Sequence, residues 1–374
     1  MRILVYEFAS GGGLAGRQVP ASLSREGAAM RSALVADLCA IGGHQIVTTA
    51  DARIRPDFPI GVEVVVLPDG DRARAAMLDL LIDRADAVWL IAPETDGCHE
   101  RLAASVERRG RRLIGSSSSA IDRASDKARL MRRLRRAGVH HPMTRALRRG
   151  EDPVCGARDI GYPIVVKPAR GAGSHGVGLA RDPSGLRRAV DVARRATVGG
   201  AVILQEYARG AAASVSLLAD GCDAVALTLN AQTIAASPPF AYRGGETPFE
   251  HPLAPRAMAA AVQACRVLPG LRGFVGVDLV LGDADVFVVE VNPRLTTAYL
   301  GVRAAVDENV AALALAACAG PLPAPPRVRR RVRFSASGDV VVERICPAST
   351  AAQAFRPGSM GSPEGLRCRC GRAL

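Results

Sequence analysis

The chain has 374 residues, enough for two or three domains, and carries 49 basic against 36 acidic side chains, a net charge of +13. Aromatic residues make up only 4 % of it, a poor supply for stacking on single strands, so the arginine excess reads as solvated helix faces rather than a nucleic-acid surface. No apolar run reaches the ~18–20 residues of a membrane span. The nine cysteines are scattered, and the one close pair, Cys368 and Cys370, has no second ligand pair, which predicts a cytoplasmic protein without a structural metal.

Residues 1–120 alternate strand and helix. "RILVYEF" reads as a first strand, followed by a helix from about Ser24 to Gly43. "HQIVTTAD", "VEVVVLP", "AVWLIAP" and "RLIG" come next as strands with helices between the later ones, the pattern of a parallel sheet covered on both faces. The loop "SGGGLAG" after the first strand spells GxGxxG at Gly11, Gly13 and Gly16. Its helix starts too late for a dinucleotide site, so a small-ligand loop at the carboxyl end of the sheet is expected instead.

After Gly115 the pattern changes. "SSSSAIDRASDKARLMRRLRRAGVHHP" has cap residues and then an arginine-rich helix, stopped by Gly138 and Pro142. Short strands surround one helix, "PSGLRRAVDVARRA", and longer hairpin-like strands run from 221 to 293. Residues 303–319 read as one apolar-faced helix, "PLPAPP" as the end of the compact part, and "RVRRRVRFSASGDVVVERI" as a basic hairpin before a weakly ordered tail.

Two stretches carry the chemistry. In "YPIVVKPARGAGSHGVGLA" a β-branched strand ends in Lys167, and Gly171, Gly173 and Gly176 again spell GxGxxG. A short apolar run stands after these glycines instead of a helix, so they belong at a hairpin tip; a lysine and exposed glycine N–H groups suit a triphosphate. In "GFVGVDLVLGDADVFVVEVNPRLTT", Glu290 and Asn292 share one strand face, and folding about the turn brings Asp278 across from 289–290. Two carboxylates buried without a counter-charge cost several kcal/mol, so something positive belongs there. The candidates are a lysine or an arginine, with Arg294 as an internal ion pair, or a hard cation such as Mg²⁺.

These stretches resemble the ATP-grasp carboxylate–amine ligases. The resemblance implies two α+β lobes gripping ATP (residues 121–208 and 209–320), preceded by a Rossmann-like substrate domain (1–120) and followed by a hairpin and tail (321–374). It also implies roles. Lys127 in "SDKARL" and Lys167 would bind phosphates, with Gly171, Gly173, Ser174 and Gly176 as the flexible loop over them. In "ILQEYARG", Gln205 would face the adenine amine, and the backbones of Glu206 and Ala208 would meet the ring. Asp278, Glu290 and Asn292 would hold Mg²⁺, or Mn²⁺, with Arg294 by the transferred phosphoryl group. Ala212 departs from the pattern, standing where many relatives carry a ribose-binding glutamate.

Further words, "YEFASGG", "EGAAM", "APETDG" and "YRGGETPFEHP", are similar to the tyramine–glutamate ligase group of methylofuran-type one-carbon cofactor biosynthesis. That likeness implies glutamate and a phenolic amine as substrates. Glu7, Gly11, Gly12, Tyr242, Arg243 and Arg294 become candidate contacts, with Arg17 as a further cation and Tyr6, Phe8 and Phe240 as an apolar wall. Glu94 and Asp96 either cap the next helix or meet substrate. Expected partners are small molecules and, at most, a second copy of the chain. A nucleotide-binding protein without catalysis and another amino-acid, dipeptide or polyglutamate ligase remain the alternatives.

Overall fold

In the computed structural model, residues 1–54, 58–235 and 240–344 are described. Residues 1–344 form one compact unit; the tail, with its Cys-x-Cys pair, lies outside the described residues. The amino-terminal part runs β1 (Arg2–Glu7), α1 (Ala21–Ile41), β2 (Gln45–Ala50), β3 (Glu63–Val66), α2 (Asp71–Asp83), β4 (Ala87–Ile91), α3 (Cys98–Arg108) and β5 (Arg112–Ile114). Its five strands are all parallel, in the order β3-β2-β1-β4-β5. The central strands β1 and β4 are apolar and almost wholly buried, as strands covered on both faces must be. Helix α1 starts at Ala21, after Pro20, a turn earlier than expected.

The arginine-rich segment is two helices, α4 (Ser118–Ser125) and α5 (Lys127–Arg136). Asp126 separates them because its carboxylate accepts the N–H of Arg129 and so starts a new helix. A small lobe comes next: β6 (Thr144–Leu147), α6 (Pro153–Gly156), β7 (Ile164–Pro168), β8 (Gly178–Ala180), α7 (Pro183–Arg195) and β9 (Val202–Glu206), in a sheet ordered β6-β9-β7-β8. Strands β7 and β8 pair antiparallel, so the glycines lie in the connection of a hairpin, as expected.

The third part holds β10 (Ala211–Asp220), β11 (Ala224–Ile234), β12 (Tyr242–Thr247), α8 (Ala254–Arg266), β13 (Arg272–Leu281), β14 (Val286–Asn292), α9 (Ala298–Ala305), α10 (Val310–Ala319), β15 (Arg330–Ser335) and β16 (Val340–Arg344). Two expectations need correction. The apolar helix is broken at Val306, and Asn309 caps its second half by accepting the N–H of Ala312. "PLPAPP" does not end the compact part either: β15 pairs with β12 and β16 with β15, completing a seven-stranded sheet. One core cluster joins Leu34 and Leu38 of α1 to Tyr299 and Val302 of α9, and Asp37 clasps the Tyr299 hydroxyl and Arg303.

Candidate functional site

The β13–β14 hairpin sets Asp278 opposite Glu290 and Gly276 opposite Asn292, with a bulge beside Asp278. Asp278 accepts from the Gln232 amide (2.8 Å) and, on its other oxygen, from the Asn292 amide (3.0 Å). Burial and the neighbouring charge of Glu290 push the Asp278 carboxyl up to about 6. The positive partner of Glu290 is Lys127, whose ammonium lies 2.8 Å from Oε1. Arg294 instead makes a two-pronged pair with Glu94, at 2.8 and 3.1 Å. The internal ion pair exists, made by a lysine and not by Arg294.

On one side of Glu290 lies a cavity of about 340 Å³. Lys127, Lys167, Gln205, Glu206, Ala208 and the tip residues Gly171, Gly173 and Ser174 line it. Lys127, only 6 % exposed, also donates to the Gly171 carbonyl (2.8 Å), tying the tip down. Lys167 donates to the Gln205 amide oxygen (2.8 Å), and desolvation lowers its pKa to about 8 despite the nearby Glu290. Gln205 is therefore occupied by Lys167 and by the Thr144 hydroxyl in this arrangement, and the Glu206 N–H is given to Met143. Gly176 does not line the cavity: a Cβ there would meet that of Ala196 at 2.4 Å, so it packs the hairpin onto the end of α7. Ala212, Ile234 and Val280 add an apolar wall.

On the other side is a second cavity of about 590 Å³, sharing Glu290, Phe240 and Ala172–Ser174 with the first. Asp278, Asn292, Arg294, Tyr242 and Arg243 line it, as do Arg25 and Glu26 from the first turns of α1 and Ser337 from the β15–β16 turn. Burial and the charge of Asp278 push the Tyr242 hydroxyl's pKa well up. Neither Arg25 nor Arg243 has a carboxylate partner among the described residues.

Several expected contacts lie elsewhere. Glu7 is 4 % exposed, and its carboxylate accepts the N–H groups of Ala9 and Ser10 and the Ser10 hydroxyl. Gly11 and Gly12 are buried in the same loop, and neither they nor Glu7 line the two cavities. Arg17 pairs with Asp71 at 2.6 Å, while Tyr6 and Phe8 pack in the core of the first domain. Glu94 and Asp96 make no helix cap. Four residues that sequence reasoning left without a role enter the site: Arg25, on the first turns of α1; Glu26 beside it, which accepts from the Thr297 hydroxyl; Gln232, which holds Asp278; and Ser214, opposite Asp278 on β10. Glu26 sat in the quoted "EGAAM" and Arg25 directly before it, but Gln232 and Ser214 become visible only once strand neighbours are known.

The fold and the site define the class: the chain belongs to the ATP-grasp superfamily. The ATP-grasp domain family matches residues 124–298, and the pre-ATP-grasp domain family matches 44–121. Among curated proteins, the carbamoyl phosphate synthase large chain of Pseudomonas syringae pv. tomato is 26 % identical over 59 % of this chain. The match spans only 21 % of that relative's length. Tyramine–L-glutamate ligase of Methanocaldococcus fervens is 35 % identical over 101 residues, 27 % of this chain and 33 % of that one. Among solved structures, an ATP-grasp superfamily protein from Archaeoglobus fulgidus superposes with a TM-score of 0.64 at 26 % identity, covering 92 % of this chain and 99 % of its own.

Proposed function

We propose that this protein is an ATP- and Mg²⁺-dependent carboxylate–amine ligase. It would join a glutamate carboxylate to a phenolic amine, tyramine or tyrosine, in methylofuran-type one-carbon cofactor biosynthesis. The observation that carries the ligase reading is the place of Glu290 between two cavities, with two lysines on one side and Asp278, Asn292 and Arg294 on the other. The amine rests on the partial likeness to tyramine–L-glutamate ligase.

The oxygen donors fit a hard cation. Asn292 spends its amide nitrogen on Asp278, which leaves its carbonyl oxygen for a ligand. Two carboxylates and one amide suit an ion that takes its remaining ligands from phosphate and water. Bound Mg²⁺, or Mn²⁺ with the same oxygen preference, would neutralise phosphate oxygens beside Asp278, Glu290 and Asn292. Lys127 would exchange Glu290 for a phosphate oxygen, and Lys167 would exchange Gln205 for another. Gln205 would then be free for the adenine amine, above the backbones of Glu206 and Ala208.

In the reaction a carboxylate oxygen of glutamate attacks the γ-phosphorus and ADP leaves. The amine nitrogen then attacks the acyl carbon, phosphate departs with that oxygen, and a proton is released. Lys127, Lys167 and Arg294 stabilise the charge that spreads over the phosphoryl oxygens. The second cavity holds glutamate and amine, with Arg25 and Arg243 for carboxylates, Glu26 for an ammonium and Phe240 and Tyr242 against a ring. A second reading, an amino-acid or dipeptide ligase, is favoured by one observation: Tyr6 and Phe8 are in the core, which leaves less aromatic wall for a phenol. ADP formation across a panel of amines, with glutamate fixed, decides. Turnover with tyramine or tyrosine supports the first reading; turnover only with alanine, lysine or a glutamyl peptide selects the second.

A further inference from the structure

The loop after β4 places three consecutive side chains on three different parts of the cleft. Glu94, 2 % exposed, accepts from Nε and one terminal nitrogen of the Arg294 guanidinium. The Thr95 hydroxyl accepts the N–H of Ala172 (3.3 Å), in the glycine connection between β7 and β8. Asp96 accepts the Val198 N–H (3.0 Å) and the Thr197 hydroxyl (3.2 Å), just beyond α7. Asp96 has a φ of 51° and Gly97 one of 69°, a left-handed pair of residues that turns the loop toward the small lobe. Beside them Arg170 bridges Glu100 (3.3 Å) on α3 and Asp122 on α4, adding a further tie between that lobe and these helices.

These contacts are of two kinds. The pair between Glu94 and Arg294 is buried and two-pronged, a geometry that fixes the orientation of the guanidinium plane. The Thr95 and Asp96 bonds reach a glycine connection and an exposed turn, contacts of the kind that open at low cost, and they act alongside the ties that Lys127 and Arg170 make to the same lobe. Swinging the lobe outward would break the second kind and leave the first intact.

We propose that Glu94, Thr95 and Asp96 are a latch by which the first domain both orients the reactive arginine and holds the phosphate-binding lobe shut. Glu94 is a positioning residue acting through Arg294. Thr95 and Asp96 are positioning residues acting through the lobe. The Glu94 half rests on the proposed ligase reading, which puts Arg294 at the phosphoryl group; the lobe half needs only that the lobe closes on nucleotide.

The test uses the full chain and compares Asp96→Ala with Glu94→Gln in two readouts: amide exchange with and without MgATP, and ADP formation with glutamate and tyramine. In the unaltered protein MgATP should protect the amides of 171–178. Asp96→Ala should lose most of that protection and raise KM for ATP about tenfold or more while kcat changes little. Glu94→Gln should keep the protection and the KM and lower kcat at least tenfold, with partial recovery in Glu94→Asp. If Glu94→Gln does not fold, Glu94→Asp carries the same comparison. Unchanged protection and KM in Asp96→Ala would overturn the latch, as would identical profiles for the two variants. If the unaltered protein forms no ADP with any amine, the ligase reading falls, and the exchange pattern at 171–178 still decides the lobe half.

Discussion

The chain spells GxGxxG twice, and the two loops differ in where their N–H groups go and in the charge at the strand's end. In the loop after β1 the N–H groups of Gly11 and Gly13 are given to the carbonyls of Glu7 and Phe8, and the strand ends in a carboxylate turned inward to hold its own loop. In the connection after β7 the N–H groups of Gly171, Gly173 and Ser174 have no protein partner among the described residues, and the strand ends in an amine facing a cavity. The pattern of glycines is the same; what makes one loop fit for phosphate is free N–H groups and the sign of the charge at the strand's end. A carboxylate in that place would repel the very ligand the loop could cradle.

The sharpest way to break this contrast is at the charge beyond the second loop. Glu290→Gln should lower kcat at least a hundredfold, a loss of several kcal/mol of transition-state stabilisation, whereas Ser10→Ala in the first loop should leave turnover near normal. The same substitution strands Lys127, which is buried and paired with Glu290, so the melting temperature should fall. Asp278→Asn should abolish turnover but raise the melting temperature of the metal-free protein, because it removes a negative charge that burial and the neighbouring Glu290 disfavour. The pH dependence has the same sign. The Asp278 value near 6 lies above its ordinary 3.8, so the destabilisation it causes is absent below the lower value, grows between the two and is complete above the upper. Metal-free melting curves should record that decline, and Mg²⁺ should reverse it.

The first loop breaks through packing instead. A Cβ at Gly27 of α1 would sit 2.5 Å from the Glu7 carboxylate, so Gly27→Ala should destabilise by about 1–3 kcal/mol in denaturant melts without changing KM for ATP. At the second loop, pH acts on Lys167. Its value near 8, below the ordinary 10.5, means that the ammonium is lost as pH rises through 8 in the free protein. ATP affinity measured by calorimetry should therefore be flat below pH 8 and fall by up to about tenfold per unit above it. The smallest effect belongs to Gly171→Ala, where a Cβ would meet only Pro168, at 3.6 Å: melting should shift little.

Much of this was legible in the sequence because it depends on local pattern. The alternation of strands and helices gave the parallel sheet, and the period of two along "VVEVN" put Glu290 and Asn292 on one face, with Asp278 in register opposite. What stayed hidden depends on long-range placement. Glu94 and Arg294 are 200 residues apart, and nothing local tells a carboxylate whether a cap, a substrate or an arginine awaits it. Glu7 misled for a related reason. A carboxylate at the carboxyl end of a strand is open to ligand only if its own loop leaves it free, and here two backbone N–H groups and a hydroxyl fill it. The hairpin beyond "PLPAPP" joins the sheet through pairing with β12, which a proline-rich linker on its own does not announce.

The central claim is that Glu290 stands where nucleotide and acid meet and that a phosphoryl group crosses there. ADP release from MgATP, measured with glutamate and tyramine together, with each alone and in the Glu290→Gln variant, tests it most directly. ADP formation should need both the acid and the amine and should disappear in the variant. Tight ATP binding with no turnover in the presence of any acid and amine, or undiminished ADP formation by a folded Glu290→Gln protein, would contradict it.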